Sequence, residues 1–183
     1  MIRILFVIIL FCSSCVTNRP VEDYGRLTVS ALFNNGQEFK GYGASTSLSY
    51  NWVVDQERQI WLGPEYSFLY GKGEQKAENT LTGNTEWVEH LSKKTHLLGA
   101  RIEFGNRTAI RAGIAYEEQE IERRYKTYKV PSELREHSSL GYYIGLQNDL
   151  PLSENIFLTP AFTFYTLDGQ ANAAIEFGIT LGF

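Results

Sequence analysis

His137 stands two residues before Ser139, a base and a hydroxyl close enough to raise nucleophilic catalysis. A serine nucleophile needs its base within reach and an acid to orient that base. The acids nearest to the pair are Glu133, Glu136 and Asp168, and no motif selects one. A second group of reactive side chains, Glu65, Arg101, Glu103, Arg111 and Glu176, shares one parity with many serines, threonines and glycines. Carboxylates and guanidinium groups crowded together persist only when paired and hydrogen-bonded. They therefore read as an ion network, or alternatively as a proton-binding cluster or the lining of a narrow conduit. His90, His96 and His137 lack metal-ligand spacing, and both cysteines, Cys12 and Cys15, fall at the extreme N-terminus. Glycine-rich phosphate loops and zinc signatures are absent, so neither cofactor nor metal is expected.

These side chains must be positioned by strands. From Ala173 to Phe183 apolar residues alternate strictly with small or polar ones: Phe177, Ile179, Leu181 and Phe183 against Glu176, Gly178, Thr180 and Gly182. The same period of two recurs at about 26–33, 44–54, 60–70, 95–104, 107–116, 139–148 and 156–167, giving eight runs with the terminal one. Each is close to the length a tilted strand needs to cross hydrocarbon. Segments 55–59, 105–106 and 149–155 read as short turns, whereas 34–43, 71–94 and 117–137 are longer and charged. Asp168-Gly169 suits a tight hairpin between the last two runs. Charge alternation suggests that the fifth and sixth runs continue beyond the membrane as a ribbon, and the 71–94 segment could do likewise. Pro64 and Pro160 cannot donate to a ladder, and a bulge at each is the simplest expectation.

The polypeptide is 183 residues long, 43% hydrophobic and 14% aromatic, with a formal charge of -4. Its mean hydropathy is only -0.24. A barrel gives such a value because only alternate residues meet lipid. The acidic balance argues against nucleic acid as a partner. Arg3, an apolar stretch from Ile4 to Phe11 and the small residues Ser13 and Ser14 mark 1–15 as a signal peptide. Residues 16–24 follow as a short periplasmic lead, and 25–183 form one domain.

Several of these features resemble known families. Cys12-Ser13-Ser14-Cys15 resembles a lipobox, which implies lipidation at Cys15; cleavage without lipid is the open alternative. Phe183 and its alternating strand resemble the signal that the barrel-assembly machinery reads. Strand number, loop alternation and the terminal phenylalanine together resemble small eight-stranded outer-membrane proteins of the OmpX/Ail and OmpA-barrel type. That resemblance implies an all-β, antiparallel, up-and-down transmembrane β-barrel in the cell outer membrane. It further implies a monomeric, non-enzymatic surface protein that contributes to envelope integrity or adhesion. Its charged loops would meet lipopolysaccharide, outer-membrane lipid or an extracellular protein. The His137–Ser139 pair resembles that of PagL-type lipid A deacylases, so a lipid A-modifying hydrolase of the PagL/PagP kind is the runner-up, followed by a narrow conduit.

Overall fold

The computed structural model describes residues 22–36, 40–78, 85–105, 107–125 and 133–183. The expected signal peptide 1–15 with Cys15, and 16–21 of the lead, lie outside the described residues. So do 37–39, 79–84, 106 and 126–132, within the expected turns and loops.

The strands are β1 (Tyr24–Gly36), β2 (Lys40–Asp55), β3 (Ile60–Glu78), β4 (Thr85–Phe104) and β5 (Thr108–Tyr125). They continue with β6 (Glu133–Asn148), β7 (Leu150–Pro151), β8 (Ile156–Leu167) and β9 (Gln170–Gly182). Successive staves pair antiparallel, β1 pairs β9, and β6 pairs β8, which closes the ring. β6 and β7 keep one register against β8 and are a single stave interrupted at Asp149. The barrel therefore has eight strands. Tyr24, expected at the end of the lead, is already the first residue of β1.

Side-chain burial alternates along the strands as the sequence does. On β9, Ala174, Glu176, Gly178 and Thr180 are buried, whereas Ile175, Phe177, Ile179 and Leu181 are exposed. The apolar parity faces outward on every stave, with Leu48, Leu98, Ile114 and Ile144 all about half exposed. Exposed leucine and isoleucine around a whole ring is the inverse of a water-soluble barrel and the arrangement that lipid demands.

The prolines are accommodated without the expected bulges. Pro64 pairs in register with Ala100 on β4, and Pro160 with Phe177 on β9. On the other side of each, the ladder leaves a gap. Tyr50 and Asn51 are unpaired opposite Gly63 and Pro64, yet the register resumes unshifted at Trp52↔Leu62. The β6–β7 interruption at Asp149 likewise falls opposite the Thr159–Pro160 step. A missing donor is thus absorbed by a local break in one ladder. The register shifts lie elsewhere, between Val53 and Asp55 and between Ala77 and Glu78.

Turn chemistry is local. Asp168 (φ 48°) and Gly169 (φ 79°) occupy the left-handed region that a two-residue type I′ hairpin requires, and Leu167 pairs with Gln170 across them.

The two longer charged segments are more ordered than loops. β3, β4 and β5 run for 19, 20 and 18 residues and β6, like β2, for 16, against 13, 12 and 13 for β1, β8 and β9. Residues 71–78, 85–94, 117–125 and 133–137 are strand. β2 stops pairing with β3 at Gly73, and β8 stops pairing with β6 at Gly141. Above those points four strands stand clear of the barrel as a projecting sheet.

Candidate functional site

The inward parity builds a layered lumen. Near the turn end, Arg26 on β1 pairs with Asp149 and donates to Glu103 Oε2 at 3.1 Å. Its second guanidinium nitrogen donates to Asp149 Oδ1 at 2.9 Å. Arg101 holds Glu103 at 2.8 Å and donates to the Gln147 amide oxygen at 2.9 Å. The Tyr24 hydroxyl also donates to Glu103. Thr159 donates to Asp149 at 3.0 Å and shares a 2.7 Å hydrogen bond with Thr180, which in turn meets Thr28 at 2.7 Å.

One step up the barrel, Arg111 on β5 spans the lumen. It donates to Glu65 at 3.1 Å and to Glu176 at 3.0 Å, with Thr163 beside it. Ser45 donates to Glu176 at 2.6 Å, and Ser67 to Glu65 at 3.2 Å. Arg101 lies 3.6 Å from Glu65 and links the two groups. Arg101 and Glu103 are wholly buried.

Above the ions lies an apolar layer. Beyond the inward positions Ser67, Gly99 and Gly113 come Leu69, Leu97 and Ala115, which with Tyr143 and Tyr165 pack with Leu32, Leu167 and Ala174. Nearer the mouth, Lys93 and Glu117 form a buried pair at 3.1 Å, with Thr95 donating to Glu117 at 2.9 Å. Side chains thus fill an eight-stranded lumen, as its narrow bore requires.

All five sequence-derived ionic residues, Glu65, Arg101, Glu103, Arg111 and Glu176, meet in this network. Sequence reasoning misses Arg26, Asp149, Lys93 and Glu117. Arg26 shares the inward parity of Thr28 and Ser30, which is the signal that marks it. Asp149 is expected in a turn and is instead drawn into the barrel base by Arg26. Lys93 and Glu117 are expected in loops; their strands continue and carry them inward.

His137 and Asp168 come together, with Nε2 3.1 Å from Oδ2, both exposed at the mouth. Ser139 follows His137 on the same inward parity of β6, but among the described residues no hydrogen bond joins the two. His137 is expected to close a loop and lies within β6. His90 pairs with Glu74 at 3.3 Å. His96 sits in the outer aromatic belt, its Nδ1 sharing a 2.8 Å hydrogen bond with the Tyr66 hydroxyl, between Phe68 and Tyr116. No group of three metal-ligating side chains forms among the described residues.

Phe177, Ile179, Leu181 and Phe183 all project outward. Phe183 exchanges both main-chain hydrogen bonds with Gly25, at 2.7 and 3.0 Å, sealing β9 to β1. The lead is held against β2 and β3, with the Trp61 indole donating to the Glu22 carbonyl and the Val53 amide to Asp23.

A closed antiparallel ring, apolar outside and ionic within, defines the class of small outer-membrane β-barrels. Solved structures of that class share the fold. Ail, the attachment invasion locus protein of Yersinia pestis, is 14% identical with a TM-score of 0.59, over 88% of this chain and 99% of that one. Its complex with the heparin analogue sucrose octasulfate gives 15% and 0.57, over the same shares. A major outer membrane protein from Thermus thermophilus gives 12% and 0.66, again over 88% and 99%. At these identities the likeness is one of fold. No protein-family model and no curated protein sequence matches the chain.

Proposed function

We propose that this chain is a non-enzymatic surface protein of the outer membrane, in which a plugged barrel anchors a projecting sheet. The observation that carries the reading is the extension of β3 to β6 beyond the points where β2 and β8 cease to pair. That extension leaves the 133–140 stretch of β6 as an open edge, and an open edge accepts a partner strand. Contacts of this sheet with lipopolysaccharide or an extracellular protein would serve envelope integrity or adhesion. The exposed Phe177–Phe183 face serves as the assembly signal, and the barrel works as a monomer.

The filled lumen weighs against the conduit. Catalysis has one observation in its favour, the His137–Asp168 pair. Against it, Ser139 does not engage His137 and lies on the inward parity, away from acyl chains. Sulfated sugars are disfavoured on the outer face of the sheet, where Glu118, Glu120, Glu122 and Glu136 outnumber Lys72, Lys94 and Arg124.

Membrane fractionation with surface proteolysis tests the reading. Cleavage of intact cells between 117 and 137, with the barrel fragment retained in the outer membrane, is the expected result. Recovery in the soluble fraction overturns it. Ser139→Ala leaves lipid A acylation unchanged if the chain is no hydrolase.

A further inference from the structure

The outer face of the projecting sheet carries charges that the fold leaves without a counter-ion, although Lys72 lies over the Tyr70 ring and Glu118 accepts from the Tyr116 hydroxyl. Register aligns Tyr42, Lys72, Ser92, Glu120 and Glu136 in one lateral row from β2 to β6. The row beneath it runs Tyr70, Lys94, Glu118, Ser138. Beneath that lies the aromatic belt of Phe68, His96, Tyr116 and Leu140. The charged rows therefore stand at head-group level, immediately above the acyl region.

Within these two rows the charges divide by strand, lysines on β3 and β4 and carboxylates on β5 and β6; the Glu74–His90 and Glu122–Arg124 pairs stand above them. Inside the barrel the ions pair closely, yet Lys72, Lys94, Glu118, Glu120 and Glu136 form no ion pair among the described residues. Glu120 stands directly opposite Glu136, a like-charge cross-strand contact that is unfavourable without a cation nearby. Two concavities of about 390 and 690 Å³ open on this face and share Ser92 and Glu120.

A surface with cations on one side and carboxylates on the other, above an aromatic floor, fits a head group that carries both signs. We propose that this face binds the phosphoethanolamine head group of a lipid in the surrounding leaflet. Its phosphate lies over Lys72 and Lys94, its ammonium lies between Glu120 and Glu136, and its acyl chains descend past Tyr116. The two lysines and the two glutamates are centred two strands apart, about 10 Å at the usual spacing, which leaves room for a phosphate and an ammonium joined by two carbons with a contact at each end. A primary ammonium donates hydrogen bonds to carboxylates; a quaternary one cannot. The inference rests on the membrane-barrel reading above and names the lipid chemistry of that reading.

The test is native mass spectrometry of the full chain folded in detergent. It is titrated separately with dimyristoyl phosphatidylethanolamine, phosphatidylcholine and phosphatidylglycerol. Phosphatidylethanolamine is expected to be retained over both others. Lys72→Gln with Lys94→Gln should weaken phosphatidylethanolamine and phosphatidylglycerol alike by roughly tenfold. Glu120→Gln with Glu136→Gln should weaken phosphatidylethanolamine alone and strengthen phosphatidylglycerol. Equal retention of the three lipids overturns the proposal, as does an order unchanged by either pair. So does loss of binding on chelation and its return with magnesium, since a divalent ion would then hold the carboxylates. Heat-modifiable gel migration of every variant keeps the outcomes apart. An inserted barrel indifferent to head groups sinks this inference alone, whereas a chain that never inserts sinks the membrane reading.

Discussion

Arg111 and Glu176 meet at 3.0 Å across the lumen, from β5 and β9, strands that share no ladder. Arg111 holds Glu65 on β3 at the same time. One guanidinium therefore ties together three staves that backbone hydrogen bonding joins only through their neighbours. Removing it leaves two buried carboxylates without a counter-charge. Arg111→Met should destabilise the folded barrel by about 3–5 kcal/mol, the usual cost of breaking a buried ion pair from one side. Urea unfolding in lipid vesicles measures this. Adding Glu65→Gln and Glu176→Gln to the same variant should recover much of the loss, because the network is then neutral.

The apolar layer separates the Arg26, Arg101 and Arg111 network from the mouth. Leu69 is almost fully buried within it. Leu69→Ala should cost about 2–5 kcal/mol through lost burial and an unfilled cavity. Planar-bilayer recordings should show no steady conductance for the unaltered chain. A stable conductance that falls on neutralising Arg101 or Arg111 would replace the plug with a path.

Gly63 is the close-approach glycine of the Pro64 break. A Cβ there would run into the main-chain carbonyl of Tyr50, which cannot rotate away. Gly63→Ala should destabilise by about 1–3 kcal/mol through forced backbone movement. Gly25 differs, because a Cβ there meets the Phe183 ring, which can move. Gly25→Ala should therefore cost less in the same unfolding assay.

The projecting sheet supplies a pH test. A hydrogen bond from Arg124 holds the exposed Glu122 carboxyl below the ordinary glutamate range. A depressed folded pKa contributes stability that is present above the unfolded pKa, about 4.3 for glutamate. That contribution is lost as the pH falls through the folded value. NMR titration of Glu122 should give a midpoint below that of a free glutamate, and Arg124→Gln should move it back up.

How much of this is legible in the sequence depends on where lipid acts. Alternation from Ala173 to Phe183 exposes the membrane face because acyl chains demand an apolar side chain at every second position. That demand also assigns Glu65, Arg101, Glu103, Arg111 and Glu176 to one side. Arg26 obeys the same parity and opens the first run, where its alternation with Leu27 marks it as inward. Above the membrane the demand ends, yet alternation around Ile121 and Tyr125 still marks the ribbon that β4 and β5 form there. It does not show that Lys93 and Glu117 turn inward to pair. The prolines mislead in a different way. A missing amide donor is a local fact, and only the three-dimensional ladder shows whether a chain answers it by a bulge or by a gap.

The central claim is that the apolar parity touches acyl chains while the ionic parity fills the lumen. Spin labels placed singly at Ile110, Ile144 and Ile179, with position 176 as the inward control, test it most directly in reconstituted bilayers. Labels at the three isoleucines should collide freely with lipid-soluble oxygen and poorly with a water-soluble nickel chelate, and a label at 176 should be shielded from both. Isoleucine labels shielded from oxygen, with the position 176 label open to the chelate, would contradict the barrel's orientation and everything built on it.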